Sequence, residues 1–164
     1  MTILLKNKHT LQIDEFKFRC CIGKKGSTKS KKEGDKKTPK GTFSIENLYF
    51  RKDRKNKPST LLKCIEIKKN MGWCNDIRFP KKYNKLINIE KKIKYEKLKR
   101  KDYKYDLLIP IKYNFNNPTT GRGSCIFIHL TKDYKPTAGC VALKEKDFLI
   151  MLKLIKRNTK IKIF

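Results

Sequence analysis

Acid is what this chain has least of: 15 aspartates and glutamates stand against 43 lysines and arginines, a formal net charge of +28 over 164 residues. Histidine is scarcer still. There are two, and the six cysteines contain no C-x-x-C pair, so no zinc cluster of familiar spacing can be assembled. No apolar run reaches the roughly 18 residues that a membrane-spanning helix needs. Internal repeats and interdomain linkers are lacking too. The length suits one domain over residues 1–164, long enough to bury a core without disulfide staples.

The positive charge is nearly all lysine, with seven arginines. Bidentate recognition of bases and phosphates favours arginine, and these lysines are dispersed along the whole chain among Ile and Asn residues. That pattern implies a solvated basic surface with weak, non-specific attraction to polyanions. Of the cysteines, Cys20 and Cys21 are adjacent and face opposite sides of a strand, which disfavours a bridge between them. Setting one nucleophile aside leaves an odd five, which argues against a fully paired framework. Most read as small core residues.

Strands are expected at residues 2–5 and 9–13, and at Phe16–Ile22, where Phe16, Phe18, Cys20 and Ile22 alternate. Residues 23–42, rich in Gly, Lys, Ser and Thr, read as a long surface loop. Strand-like runs follow at Thr42–Ile45 and Leu61–Ile67, separated by a polar loop containing Pro58, and residues 68–90 have no clean period. The charged run Glu90–Arg100 suits a short exposed helix. Tyr105, Leu107, Ile109, Ile111 and Tyr113 alternate as a strand that Pro110 demotes towards a sheet edge. Phe148, Leu149, Met151, Leu152 and Ile155 fall at helical spacing, and Lys160–Phe164 alternates as a closing strand. Many strands with one good helix make a mainly β (α+β) domain.

Chemistry concentrates in Ile126–Leu143. His129 closes the apolar run Ile126, Phe127, Ile128, and Gly139-Cys140 follows a turn-prone Lys-Pro-Thr-Ala loop. A thiol needs a base within about 3 Å to react near neutrality, and imidazole is the usual one. A strand end and the loop returning to it can meet, so Cys140 and His129 form a nucleophile–base candidate. Such a pair is expected to raise the thiolate fraction of Cys140 above that of a free thiol. Gly139 lets backbone amides approach closely enough, with the Cys140 amide, to bind an oxyanion. Arg122, between two glycines, is a candidate clamp for a substrate carboxylate, and Thr137 a candidate for orienting the loop. His9 carries no assigned role, and Trp73 reads as packing.

The same stretch resembles the active-site signature of the L,D-transpeptidase (YkuD) catalytic domain. Glu33-Gly34-Asp35 with Thr38-Pro39, Gly41 and Phe43 is similar to the family's early turn, and Gly72-Trp73-Cys74, Tyr83-Asn84, Tyr105-Asp106-Leu107 and Gly121-Arg122-Gly123-Ser124 follow in order. Two positions depart from the widespread form: Ala138 stands where a histidine is usual, and Ala142 where an arginine or asparagine is. The resemblance implies a β-sandwich with a C-terminal helix and a catalytic groove, Cys140 at its mouth and the 23–42 loop beside it. It further implies peptidoglycan stem peptides as substrate, a Cys140 thioester, 3→3 cross-links as product and no cofactor. With water as acceptor the same site is an L,D-carboxypeptidase. From another class, a non-catalytic basic protein binding wall polymer or nucleic acid is the alternative. A papain-like peptidase fits less well, because its cysteine precedes its histidine. The implied substrate places the protein in the cell envelope or periplasm, although Met1–Ile13 lacks the apolar region and cleavage site of a secretory signal.

Overall fold

A computed structural model describes residues 1–164. Strands β1 (Thr2–Leu5), β2 (Thr10–Ile13) and β3 (Phe16–Cys21) form an antiparallel meander. Two short pieces, β4 (Ser27–Thr28) and β5 (Thr38–Pro39), pair in parallel within the 23–42 loop. Then come β6 (Gly41–Ser44), β7 (Leu48–Phe50), β8 (Cys64–Glu66), β9 (Met71–Cys74), β10 (Leu86–Asn88) and β11 (Tyr95–Lys97). The chain ends with β12 (Leu107–Pro110), β13 (Phe127–Leu130), β14 (Val141–Leu143), helix α1 (Glu145–Leu154) and β15 (Lys160–Ile163).

Ten strands make one sheet in the order β6-β15-β1-β2-β3-β14-β13-β12-β7-β8. A twisted sheet this wide curls, and the curl brings β6 back against the end of β12. Lys112 N–H donates to Ser44 O at 2.8 Å, Glu46 N–H donates to Pro110 O at 2.9 Å, and Ile45 bridges Ile111. Inside lies a cluster of 25 buried residues, with Ile3 and Leu11 from one half of the sheet and Ile128 and Val141 from the other. Helix α1 adds Phe148, Met151 and Leu152, spaced to share one face. Burial of Phe148 contributes about 2 kcal/mol. The mainly β expectation is met, about 35 % strand against 6 % helix in a curled multi-strand sheet.

Every residue of β12, β13 and β14 is buried, on both faces. The inner faces meet the main core; the outer ones lie under a second, three-stranded sheet in the order β10-β9-β11. Trp73 of β9 and Leu98 after β11 pack there with Tyr105, Leu108, Phe127 and Cys140. This layer is where sequence and structure part. Glu90–Arg100 is not a helix: β11 pairs with β9 at Tyr95 and Cys74, and Asp76 accepts the Lys94 N–H at 2.9 Å. Ile93 and Leu98 are buried rather than exposed. The aperiodic 68–90 segment supplies β9 and β10, and β7 lies inside what reads as polar loop. Pro110 does not mark an edge, since β12 sits between β13 and β7. As the last residue of its strand, Pro110 needs no N–H for the ladder.

Candidate active site

Strands β13 and β14 run parallel, with Ile128 opposite Val141 and His129 opposite Ala142. The two-residue side-chain period puts Phe127 and His129 on the outer face of β13, with Cys140 and Ala142 beside them. Strand spacing and rise place the Cα atoms of Cys140 and His129 roughly 8 Å apart. Their side chains line one cavity of about 510 Å³.

His129 is buried, and its Nδ1 lies 2.9 Å from Leu130 O. A carbonyl only accepts, so Nδ1 carries the proton and Nε2 is left with a free lone pair. The ring meets the Tyr105 ring at 5.4 Å between centroids and 69°. Burial pushes the imidazole pKa down to about 4. The Cys140 Sγ–H donates to Cys125 O at 3.2 Å, and Sγ accepts the Phe127 N–H at 3.4 Å. Burial pushes this thiol up to about 12, with the Phe127 N–H pulling weakly the other way. Both partners are therefore neutral at rest. Desolvation penalises the charged form of each and so works against the thiolate enrichment expected from sequence.

The loop into Cys140 is tied down by side chains. Thr137 Oγ1 donates to Cys140 O at 2.6 Å and accepts the Gly139 N–H at 3.1 Å. Gly139 has φ +147, and a Cβ there would stand 2.9 Å from Lys37 O. Its own carbonyl accepts the Thr38 hydroxyl at 2.8 Å. Thus the 23–42 segment is docked against the cysteine loop, with Thr38 fully buried. Of the two amides considered for an oxyanion, that of Gly139 is taken by Thr137, while that of Cys140 has no acceptor within the protein.

Four of the five residues singled out in the sequence, Cys140, His129, Gly139 and Thr137, line this cavity. Arg122 is exposed and outside the lining; its carbonyl accepts the Tyr113 hydroxyl at 2.6 Å. The arginine of the cavity is Arg100, paired with Glu96 at 2.9 Å and Asp102 at 2.6 Å and lying 4.9 Å above the Tyr105 ring. It sits in a charged run that looks like a solvated face, so no local signal marks it.

Asn84, part of the Tyr83-Asn84 motif, has a structural role that the sequence does not assign. Its Oδ1 accepts the Trp73 Nε1–H at 3.0 Å and the Cys125 N–H at 3.1 Å. Its Nδ2 donates to Tyr113 O and Asn114 O at 3.0 and 2.7 Å. These bonds hold Cys125 at φ +54, a left-handed conformation that points its carbonyl at the Cys140 thiol.

The sequence matches the family described as the L,D-transpeptidase catalytic domain, YkuD, over residues 1–163. Among curated proteins there is no match. Among solved structures, that of Bdellovibrio bacteriovorus Bd1075 is similar at 16 % identity and a TM-score of 0.45, over 99 % of this chain and 47 % of that one. The chain spans about half the length of that protein.

Proposed function

The chain belongs to the L,D-transpeptidase catalytic domain (YkuD) family, and from that membership we propose that it forms 3→3 cross-links between peptidoglycan stem peptides through a thioester on Cys140. The observation that carries this reading is the Cys140–His129 pair: a thiol on the residue just before β14 and an imidazole with a free Nε2 on β13, facing one cavity, the thiol at rest bonded to Cys125 O rather than to the imidazole. The donor is a stem tetrapeptide whose third residue is a diamino acid. Sγ attacks that residue's carbonyl carbon as the thiol proton passes to His129 Nε2. The oxyanion meets the unpaired Cys140 N–H. As the C–N bond breaks, the imidazolium returns its proton to the departing D-alanine amine. An amine of a neighbouring stem then attacks the thioester, the C–S bond breaks, and the proton goes back to sulfur.

Thr137 and Gly139 position the loop in this scheme, and the thioester divides one difficult acyl transfer into two easier ones. No step asks for a cofactor. Arg122 remains a candidate for a substrate carboxylate only at the outer rim. Such a substrate places the protein in the envelope. Incubation with purified tetrapeptide, followed by mass spectrometry of protein and products, tests the reading. A thioester adduct and released D-alanine are expected, both abolished in Cys140→Ala. Water as acceptor yields tripeptide instead of a cross-linked product and makes the enzyme a carboxypeptidase. Full turnover by Cys140→Ala sinks the assignment.

A further inference from the structure

Three carboxylates line the cavity, and two of them are already neutralised: Glu96 by Arg100 at 2.9 Å and Asp133 by Lys135 at 3.1 Å. Glu33 is the third. No lysine or arginine stands within 4 Å of it, in a chain with 43 of them. The nearby Lys31 is spoken for, its ammonium bound to Asp35 at 2.5 Å and to Lys32 O.

The carboxylate is nonetheless held firmly. The hydroxyl of the fully buried Tyr83 and that of Ser124, the latter at 2.7 Å, both donate to Oε2. The backbone N–H of Glu33 donates to Gly121 O at 2.8 Å. Burial and the adjacent carboxylate push the Tyr83 phenol far above its ordinary range, so it stays a donor. Oε1 has no partner within the protein, which leaves an open acceptor on a positioned carboxylate at the cavity wall.

We propose that Glu33 is a specificity-determining residue that receives a primary ammonium of the substrate, the side-chain amine of the donor stem's third residue. This rests on the transpeptidase reading above. The position along the chain favours the donor arm over an attacking acceptor amine. Ser124, which anchors Glu33, precedes Phe127, whose N–H reaches the Cys140 sulfur. Along this run Glu33 lies at the Ser124 end, offset from the sulfur beside Phe127, which suits an anchor for the donor arm. On the other side of Phe127, Lys104 also lines the cavity and has no ion-pair partner; its carbonyl accepts the Leu130 N–H at 3.0 Å. The lining thus offers one free anionic and one free cationic group flanking the thiol. A zwitterion fits, with its ammonium at Glu33 and its terminal carboxylate towards Lys104.

Equilibrium binding to the Cys140→Ala protein tests this without requiring turnover. Two tetrapeptides are compared, one with the free side-chain amine and one acetylated there. The parent is expected to prefer the free amine by about ten-fold, the scale of one charge-assisted hydrogen bond. Adding Glu33→Gln, which keeps the acceptor oxygen for Tyr83 and Ser124, should bring that ratio close to one. A preference that survives Glu33→Gln, or an absence of preference in the parent, overturns the proposal. Equal weakening for both peptides also overturns it, because that is the signature of a structural role. Failure of the transpeptidase reading would show separately, as an absence of D-alanine release by the unsubstituted protein.

Discussion

The thiol of Cys140 and the imidazole of His129 are each shifted by burial towards the neutral form, the first up to about 12 and the second down to about 4. In the proposed reaction this favours proton transfer that accompanies attack, and two outcomes follow at this scale. Iodoacetamide labelling of Cys140, followed by peptide mapping, should be slow at pH 7 and keep rising through pH 10; a plateau near neutrality would reveal a preformed thiolate. Stability should carry the histidine's signature too. His129 is protonated more readily unfolded than folded, so its contribution is complete above its ordinary pKa near 6.5 and lost as pH falls towards 4. The loss amounts to about 3 kcal/mol, at 1.36 kcal/mol per pKa unit. Urea titrations at pH 7 and 4.5 should show a smaller pH-dependent drop for His129→Gln than for the unsubstituted protein. Equal drops would mean that the histidine is not buried neutral.

Between elements, the site depends on two contacts far apart in sequence. Gly139 fits under Lys37 O only without a side chain, and its φ of +147 suits glycine alone. Gly139→Ala should push the cysteine loop from the 23–42 segment and cut kcat at least ten-fold while leaving the circular dichroism of the sheet intact. Retention of kcat would mean that this docking has no bearing on chemistry. Asn84 satisfies four polar groups, one on β9 and three in the connection between β12 and β13. Asn84→Ala leaves them unpaired and should cost about 3 kcal/mol, read as a shift of the urea midpoint. The small outer sheet was the least legible part of the chain. Its strands are three or four residues long, too short for a period to stand out, and long-range pairing with β9 rather than local propensity makes a strand of Tyr95–Lys97.

For the whole molecule, the charge of +28 dominates. No helix is long and apolar enough to cross a membrane. Attraction to polyanions should be weak, blind to sequence and steeply reduced by salt, since it arises from counterion release over a dispersed lysine surface. A mobility-shift series from 50 to 200 mM salt checks this. Nanomolar, sequence-selective binding that survives the higher salt would favour a nucleic-acid protein over an enzyme. In the native host, the protein is expected to fractionate with the envelope, where the proposed substrate lies; tight recovery with cytosolic markers would count against the substrate.

Alternation at Phe16–Ile22, helical spacing at Phe148–Ile155 and the apolar run before His129 were all readable directly, because each reports on neighbours within a few residues. The same stretch of sequence marked Cys140 and His129 as a candidate pair, and the ordered motifs identified the family. What folding alone decided lies between segments. Parallel pairing of β13 with β14 sets His129 opposite Ala142 and so turns both reactive groups onto one face. The outer sheet then buries them, and that burial shifts each towards its neutral form. The exposure of Arg122, the entry of Arg100 into the cavity and the unpaired carboxylate of Glu33 likewise depend on which loops meet. Burial and pairing are sums over residues distant in sequence, and no local pattern contains them.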